Sequence, residues 1–352
     1  MLESFAEPLS QDGRNLHVSA SIGISVFPQD GETFDSLLQH ADVAMYRAKA
    51  KGRNGCQLYL SEMGVQAQER ADLEGALRVA LERNELELHY QPQVDGISGR
   101  IVGVEALVRW HHPELGMVPP LRFIPLAEET GLIIPIGEWV LRTACTQAMA
   151  WHAAGNDALC VAVNMSAIQF QQQDVPTLVR DVLRSSGLPA QCLELELTES
   201  SLMRDTNAAI ETMRQIKNIG VRLTLDDFGT GYSSLSYLRR FPIDVLKIDK
   251  SFTFDVTTDE GAASITRAII AMARSLNMTT IAEGVETIEQ LELLSALGCD
   301  VMQGYHISRP LPVDQITALL SDSLRLADLA INSARPVQFS LPAKTPLDDA
   351  LA

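Results

Sequence analysis

The segment LTLDDFGTGYSSL, residues 223–235, places two adjacent carboxylates, Asp226 and Asp227, at the end of an apolar run and before a glycine-containing turn. An Asp before a helix often accepts hydrogen bonds from the first free N–H groups, so a helix cap is the ordinary explanation for such a pair. Adjacent carboxylates are also suitable ligands for Mg²⁺, Mn²⁺ or Ca²⁺, which prefer oxygen donors. The choice between the two depends on which other polar residues the fold brings to the same place.

Polar residues also lie near the ends of several other apolar runs, namely Glu105, Asn164, Glu196, Glu283 and Gln303, with Lys247 and Asp249 inside a further run. Each has an ordinary explanation alone. Glu105 or Glu196 could be a solvated strand residue, Asn164 could form a turn, and Glu283 could cap the helix predicted over residues 287–298. Clustered carboxylates, however, raise one another's pKa unless cations lie among them.

The elements that must position these residues alternate between short β-rich runs and longer segments with helical spacing. Strands are predicted at residues 86–94, 101–110, 159–166, 192–199, 221–227, 245–251, 279–284 and 300–305. Helices are predicted between them, including two within residues 123–155 and one each at 175–187 and 262–277. Eight strands with helical crossovers predict an α/β fold of the (β/α)8 TIM-barrel type, and a doubly wound open sheet is the alternative.

The first two predicted strands are joined only by DGISGR, residues 95–100. Parallel strands need a crossover of a dozen or more residues, so this pair should form an antiparallel hairpin. We therefore expect seven parallel strands and one antiparallel first strand.

In a closed barrel the carboxyl ends of the parallel strands meet on one face. The barrel therefore predicts that one pocket holds five carboxylates and an amide, from Glu105, Asn164, Glu196, Asp226, Asp227 and Glu283. We interpret Asp226 and Asp227 as neighbouring ligands of a two-metal site. His111 and His112 have no partner at metal-ligand spacing, and they are assigned to the loop after the second strand.

The composition narrows the function classes. The net charge of −17 argues against a surface for a nucleic-acid polymer, although metal ions could still attract a phosphate ligand. The five cysteines are scattered and form no CxxC pair, which indicates reduced thiols in a cytoplasmic protein, without a zinc site or disulfides. No apolar stretch reaches the ~18 residues of a membrane span, and the N-terminus lacks a secretion signal pattern.

The ends of the chain differ from the barrel. Residues 1–60 are predicted to form a small α+β unit, with a strand at 16–28, a helix at 33–52 and a strand at 56–60. A linker helix is predicted at residues 61–84, the barrel at 85–328 and a disordered tail at 329–352.

Residues 72–325 resemble the EAL-domain family, the bacterial phosphodiesterases that hydrolyse cyclic di-GMP. The matching motifs occur in the family's order: YQPQV, VEALVRW, VNMS, ELELTES, LDDFGTGYSSL, LKIDKSF, AEGVET and MQGYHISRP. The resemblance implies a barrel with an antiparallel first strand, two Mg²⁺ or Mn²⁺ ions per active site, and pGpG as product. Ca²⁺ should enter the same oxygen-only site but inhibit turnover, because its bonds are longer than those of Mg²⁺. The resemblance also implies a homodimer formed through the barrel and a role in lowering second-messenger signalling.

The resemblance implies a role for each matching residue. Ligands of the first metal match Glu105, Asn164, Glu196 and Asp226, and a ligand of the second matches Asp227. Lys247 and Glu283 match residues that contact the attacking water or its metal, and Gln303 matches a residue at the site edge. Glu199 matches the residue that holds the DDFGTGYSS loop. Substrate-side positions match Gln91, Glu105, Leu107, Arg109 and Asp249.

Residues 17–59 resemble the C-terminal end of a GGDEF (diguanylate cyclase) domain through VSASIGISVFP and ADVAMYRAKAKGRN. Lys49 and Arg53 match phosphate-contacting positions of that domain. Because the printed chain lacks the signature loop, we expect a truncated GGDEF remnant in which these two residues are solvated cations.

Three other functions remain compatible with the sequence. The barrel could bind cyclic di-GMP without hydrolysing it, although receptors of that kind typically lose several metal residues. An unrelated barrel could use the same carboxylates for enolate chemistry on a carboxylic acid. The chain could also act by protein contact, with residues 1–60 as an interface.

Overall fold

A computed structural model describes residues 9–11, 14–16, 19–52, 54–203, 205–229 and 235–322. The chain divides into two compact units, residues 1–79 and residues 80–352. Three features predicted from the sequence lie wholly or mostly outside the described residues: Arg53, the turn at 230–234 and the tail at 329–352.

The first unit contains two small sheets and two helices, with elements β1 Leu9–Gln11, β2 Arg14–Leu16, β3 Ile22–Ile24, α1 Phe34–Ala50, β4 Cys56–Leu58 and α2 Ser61–Ala80. Helix α1 begins at Thr33, whose side chain accepts a hydrogen bond from the Ser36 N–H in a capping box. Strands β3 and β4 pair in parallel. The predicted α+β character is confirmed, but β3 is much shorter than the strand predicted over residues 16–28.

The second unit begins with the hairpin and first helices of a barrel, β5 Leu86–Asp95, β6 Ile101–His112, β7 Gly116–Val118, α3 Pro120–Thr130 and α4 Ile133–Ala153. It continues with β8 Cys160–Met165, α5 Ala167–Gln172, α6 Val175–Ser186, β9 Leu193–Thr198, α7 Glu199–Leu202, α8 Thr206–Ile219 and β10 Arg222–Phe228. It ends with α9 Leu235–Leu238, β11 Val245–Ile248, α10 Lys250–Phe254, α11 Glu260–Ser275, β12 Thr279–Ala282, α12 Ile288–Leu297, β13 Val301–Met302 and β14 Leu311–Pro312. Residues 313–322 are helical.

Eight of these strands close into a barrel in the order β5, β6, β8, β9, β10, β11, β12, β13 and back to β5. The strands from β6 to β13 in this order run parallel, whereas β5 pairs antiparallel with both β6 and β13. The two short strands β7 and β14 extend the sheet beside β6 and β5. The predicted barrel with one antiparallel first strand is confirmed, and the open-sheet alternative is wrong.

The parallel strands are almost continuously apolar because helices cover their outer face and side chains fill the interior. All four residues of β11 are buried, and the one polar member is Lys247. The helices between them carry ordinary caps. Helix α6, for example, begins at Asp174, which accepts from the Thr177 N–H, and ends at the left-handed Gly187.

Several strands end earlier than the sequence predicts because a helix begins at once. Asp249 caps α10, so β11 stops at Ile248, and Glu199 is the first residue of α7 and does not belong to β9. The two helices predicted within residues 123–155 are confirmed as α3 and α4, and they are separated at Gly131, which has a left-handed backbone.

Among the described residues, no helix combines the length and the apolar character needed to cross a bilayer.

A candidate metal centre at the carboxyl ends of the barrel strands

Strand β10 carries a bulge at its two aspartates. Its register with β11 shifts between Leu225 and Phe228, and Asp227 has a left-handed backbone with φ of 56°. Successive side chains of a regular strand point to opposite faces, but a bulge with a left-handed residue breaks that alternation. Carboxylate oxygens of Asp226, Asp227 and Glu283 consequently lie within 4.8 Å of one another. Both aspartates lie in a strand, so the helix-cap interpretation is wrong for this pair.

The Lys247 ammonium is the one cation at the centre of this face among the described residues. Its Nζ lies 2.7 Å from Glu283 Oε1, 2.8 Å from Glu196 Oε2, 3.4 Å from Asp226 Oδ1 and 3.6 Å from Glu105 Oε2. The Lys247 side chain is 1% exposed. Four strands of the barrel, β6, β9, β10 and β11, and the residue after β12 therefore converge on one buried ammonium.

Amide side chains complete the cluster. Asn164 donates its Nδ2 to Glu105 Oε1 at 2.6 Å, and Gln303 donates its Nε2 to Glu105 Oε2 at 2.5 Å. This bond uses the amide nitrogen of Asn164 and leaves its carbonyl oxygen available to accept a bond or bind a cation. Asn164 lies in β8, and Ser166 is the residue that caps the following helix, so the turn interpretation of Asn164 is wrong.

The cluster perturbs the pKa values of its members. Burial, followed by repulsion from Glu105, raises the pKa of Glu196 well above its ordinary value. Burial also raises the pKa of Glu283 to about 7, and burial together with the Asp226 charge raises that of Asp227. For Glu105, burial opposes ionisation, but the Lys247 charge and the bonds from Gln303 and Asn164 outweigh it and lower the pKa. Excess negative charge is thus the dominant property of this pocket.

The residues fit a cation site. When Glu196 is ionised, its fully buried Oε1 accepts no hydrogen bond from any residue that the structure describes. A buried oxygen without a partner costs free energy, which a bound cation would recover. Five carboxylates face a single ammonium, so full ionisation leaves four negative charges unmatched, the charge of two divalent cations. The all-oxygen donor set suits Mg²⁺, Mn²⁺ or Ca²⁺.

A cavity of about 300 Å³ opens beside the cluster. Its lining includes the predicted substrate-side residues Gln91, Glu105 and Leu107, together with Glu283 and Gln303. Arg109 is half-buried on the same face of β6, and its guanidinium donates to the Val108 carbonyl oxygen at 2.9 Å. Burial lowers the pKa of Arg109, opposed by the charges of Tyr305, Glu105 and Glu87.

Two predicted site residues lie where a helix begins. Asp249 caps α10 by accepting from the Ser251 N–H at 3.0 Å, and its charge contributes to the raised pKa of Asp227. Glu199 is buried at the start of α7, three residues beyond Glu196. Most of the turn that Glu199 is predicted to hold lies outside the described residues. Glu283 contacts Lys247 and does not cap α12, because the cap of that helix is Thr287.

Gln93 also belongs to this site, although it was not predicted from the sequence. Its Nε2 donates to Gln303 Oε1 at 3.0 Å, which orients the Gln303 amide toward Glu105. Space for Gln93 exists because residue 103 is glycine, where a Cβ would lie 2.7 Å from Gln93 Oε1. The alternation of Gln91 and Gln93 in YQPQV places both on one strand face and was the available signal.

Comparison with known proteins gives two family matches. Residues 74–310 match the model described as "EAL domain", and residues 1–55 match the model described as "Diguanylate cyclase, GGDEF domain".

Two curated relatives come from Pseudomonas aeruginosa. The chain is 46% identical over 318 residues to the bifunctional diguanylate cyclase/cyclic di-GMP phosphodiesterase MucR, a match that covers 90% of this chain and 46% of that protein. It is 43% identical to the cyclic di-GMP phosphodiesterase NbdA, over 91% of this chain and 41% of that protein. The chain thus spans less than half the length of these relatives.

Among solved structures, the chain is similar to a PaMucR phosphodiesterase in complex with c-di-GMP. The TM-score is 0.68 at 47% identity, and the match covers 70% of this chain and 99% of that one. The Mycobacterium smegmatis DcpA EAL domain matches with a TM-score of 0.59 at 36% identity, over 68% of this chain and 98% of that one.

Proposed function

Because the chain belongs to the EAL-domain family, we propose that it hydrolyses one phosphodiester bond of cyclic di-GMP and releases linear pGpG. The observation that carries this proposal is the convergence of Glu105, Glu196, Asp226 and Glu283 on Lys247, with Asp227 brought alongside by the bulge. Relatives named as cyclic di-GMP phosphodiesterases, NbdA among them, support the choice of substrate.

The proposed cofactors are two divalent cations, Mg²⁺ or Mn²⁺. Glu105, Asn164, Glu196 and Asp226 would hold one, and Asp227 with Glu283 would hold the other beside it. Two cations in such a site lower the pKa of a bound water and neutralise charge on the scissile phosphate and the leaving oxygen. The orphaned Oε1 of Glu196 and the close approach of Asp226, Asp227 and Glu283 support this assignment.

Lys247 serves two purposes in this proposal. Its ammonium fixes the orientation of Glu196 and Glu283 through contacts of 2.8 and 2.7 Å. It also places a permanent positive charge at the floor of the pocket, where negative charge develops on the attacked phosphate. Gln303 supports the arrangement by holding Glu105 through its amide.

The substrate is proposed to lie in the cavity beside the cluster. Gln91 and Leu107 line it, and Arg109 extends the same face of β6 outward. The Arg109 guanidinium can pair with a phosphate oxygen or a guanine edge, since it offers several donors in one plane. Asp249 is proposed to contact the substrate from the same side of the cavity through its carboxylate oxygens.

Glu199 is proposed to be a positioning residue that anchors the turn after Asp227. A 1 Å misplacement of a reacting group can cost about 100-fold in rate. Glu199→Ala should therefore lower kcat while KM for cyclic di-GMP changes little, and Glu199→Gln should restore part of it. Unchanged kcat in Glu199→Ala would remove this role.

The experiment that tests the proposed function incubates the purified chain with cyclic di-GMP in Mg²⁺, Mn²⁺ or Ca²⁺ and follows pGpG by chromatography. We expect turnover in Mg²⁺ and Mn²⁺. Ca²⁺ bonds are longer, at about 2.3–2.6 Å against about 2.0–2.1 Å for Mg²⁺, so we expect binding without turnover in Ca²⁺. Binding without pGpG in all three metals would identify a receptor, and absence of binding would favour a different substrate.

The wider setting follows from the same family membership. We propose that the barrel forms a homodimer, which light scattering of the purified chain at several concentrations tests. We also propose that the protein acts in the cytoplasm and that it lowers cyclic di-GMP signalling there. A monomer at all concentrations would contradict the first of these proposals.

A further inference from the structure

A second group of metal-ligand side chains lies outside the acidic cluster, on the hairpin of β5 and β6. Glu87 and His89 belong to β5, and His111 belongs to β6. The hairpin extends beyond the barrel, because β6 pairs with β8 only as far as Ala106, whereas its pairing with β5 continues to Trp110.

The strand register brings these three side chains to one face. Residues 87 and 89 are two apart on β5 and therefore point the same way. Glu87 lies opposite Arg109, so His111 is its diagonal neighbour on the adjacent strand. The backbone at this point is held by the bond from the His111 N–H to the Glu85 carbonyl oxygen at 2.8 Å.

The ligand atoms converge. His89 Nε2 and His111 Nε2 each lie 2.6 Å from the same oxygen, Oε1 of Glu87. All three atoms lie within 4.8 Å of one another. The assignment of His111 to a loop without a partner is therefore wrong, and the missing information was the cross-strand register.

The geometry points to a transition-metal site formed by Glu87, His89 and His111, which we propose binds Zn²⁺ or an ion of the same class. Two imidazoles and one carboxylate with further positions open to solvent form a ligand set typical of Zn²⁺, Co²⁺ or Ni²⁺ and unsuited to Mg²⁺ or Ca²⁺. Zn–N and Zn–O bonds are about 2.0–2.2 Å, so tetrahedral ligand atoms lie about 3.3 Å or more apart. Each imidazole nitrogen, now 2.6 Å from Glu87 Oε1, would therefore move about 0.7 Å or more away from that oxygen to admit the ion.

Exposure supports access by the ion. The side chains of Glu87 and His111 are 44% and 49% exposed, whereas that of His89 is 14% exposed. A metal can therefore enter from solvent without opening the barrel. The expectation of no zinc site, which rested on the cysteines, does not extend to this histidine pair.

This site can be tested by metal binding alone. In an Asp227→Asn background with excess Mg²⁺, Co²⁺ should produce one set of intense visible absorption bands typical of a tetrahedral or five-coordinate nitrogen-containing site. Zn²⁺ should abolish these bands by competition. Calorimetry at two buffer ionisation enthalpies should show proton release, since ligands lose protons on binding.

Substitutions of single histidines show which residues bind the Zn²⁺ ion. His111→Gln should weaken Zn²⁺ binding by more than about 100-fold, because loss of outer partners of a metal site alone costs 10–100-fold. His112→Asn is the matched control: His112 is the adjacent residue on β6, and its Nδ1 accepts from the Glu114 and Leu115 N–H groups. It should keep the native affinity. Circular dichroism melts verify folding of each variant.

Equal Zn²⁺ affinity in the His111→Gln and His112→Asn variants would overturn the proposal. So would the absence of nitrogen-ligand Co²⁺ bands in the Asp227→Asn protein with His89 and His111 intact. Loss of the bands in His111→Gln and their retention in His112→Asn would support it.

Discussion

Lys247 is the residue on which the electrostatics of the acidic cluster depend. A buried charge is costly unless it is paired and hydrogen-bonded, and Lys247 contacts four carboxylates. The carboxylates need the ammonium equally, because burial and mutual repulsion already raise the pKa of Glu196 and Glu283. Removing the ammonium leaves the buried carboxylates without a counter-charge, and removing the carboxylates leaves a buried, unpaired ammonium.

Lys247→Met should destabilise the metal-free protein by about 3–5 kcal/mol, the usual cost of breaking a buried ion pair from one side. Mg²⁺ should recover part of this loss by neutralising the same carboxylates. Urea unfolding in chelator and in excess Mg²⁺ measures both effects.

The matched control is Lys217→Met, which removes a partly exposed pair with Asp244 at 2.7 Å. Its cost should be no more than about 1 kcal/mol and independent of Mg²⁺. Equal, metal-independent losses in the two variants would contradict the account of Lys247.

Asp227→Asn should remove hydrolysis while sparing the fold. The amide keeps the shape of the side chain and loses one charge, so the rate of pGpG formation should fall by at least about 100-fold. Because Asp226 repels Asp227, the thermal midpoint should stay unchanged or rise. Chromatography and a thermal melt measure the two quantities, and a native rate of pGpG formation would refute the second-metal assignment.

The sequence locates the residues of the acidic cluster where the order of the strands alone brings them together. Glu105, Asn164, Glu196 and Lys247 were found because parallel strands bring their ends together. Gln93 and the contact of His111 with Glu87 were missed, because they depend on cross-strand register and on side-chain direction. Glu194 and Glu196 lie on one face of β9, and Glu196, nearer the end of the strand, lies beside Lys247, whereas Glu194 lies beside Thr224.

At the scale of elements, β10 determines whether both aspartates reach the pocket. Strand β10 is followed by Gly229, which has φ of 100°, and a Cβ there would lie 2.6 Å from the Phe252 ring of α10. A regular strand would turn one aspartate away. The sequence predicts the strand and the turn after it, but it does not specify the bulge, since Asp, unlike Gly, gives no strong signal for a left-handed backbone.

Gly229→Ala should therefore impair catalysis through geometry. The left-handed backbone alone costs about 1–2 kcal/mol, and the clash with Phe252 adds to it by shifting β10 or α10. We expect kcat for cyclic di-GMP hydrolysis to fall by about tenfold or more, because Asp227 moves relative to Asp226.

Gly187→Ala provides the control. Gly187 has φ of 76° at the end of α6, and a Cβ there would meet no atom within 4 Å. It should lose stability by about the same 1–2 kcal/mol with unchanged kcat. If Gly229→Ala loses no more activity than Gly187→Ala, the bulge does not position the aspartates.

At the scale of the whole molecule, the chain has a strongly acidic composition, although it belongs to a family whose substrate carries phosphate groups. The net charge of −17 would repel a dinucleotide phosphate, and two divalent cations bound at the acidic cluster would offset the negative charge at the pocket. The overall barrel was predictable from the count and spacing of strands, and the antiparallel first strand from a six-residue connection. Element lengths were less predictable, because β11 and β13 end where capping residues and turns intervene.

The chain should form no cyclic di-GMP from GTP. Its GGDEF match covers only residues 1–55 of the printed sequence, and the signature loop of that domain does not occur in it. Incubation with GTP and Mg²⁺, followed by chromatography, tests this expectation. Clear synthesis of cyclic di-GMP would show that residues 1–60 were misinterpreted.

The proposed reaction requires that a water molecule attacks one phosphorus of cyclic di-GMP bound at the barrel. Hydrolysis in ¹⁸O-labelled water, followed by mass spectrometry of the product and the remaining substrate, shows whether this attack occurs. Attack by water forms a new P–O bond, breaks the bond to the 3′ oxygen, and leaves the proton on that oxygen. We expect pGpG with one ¹⁸O atom in its 5′-phosphate and unlabelled cyclic di-GMP. Unlabelled pGpG, or intact cyclic di-GMP bound to the Mg²⁺-loaded protein, would contradict it.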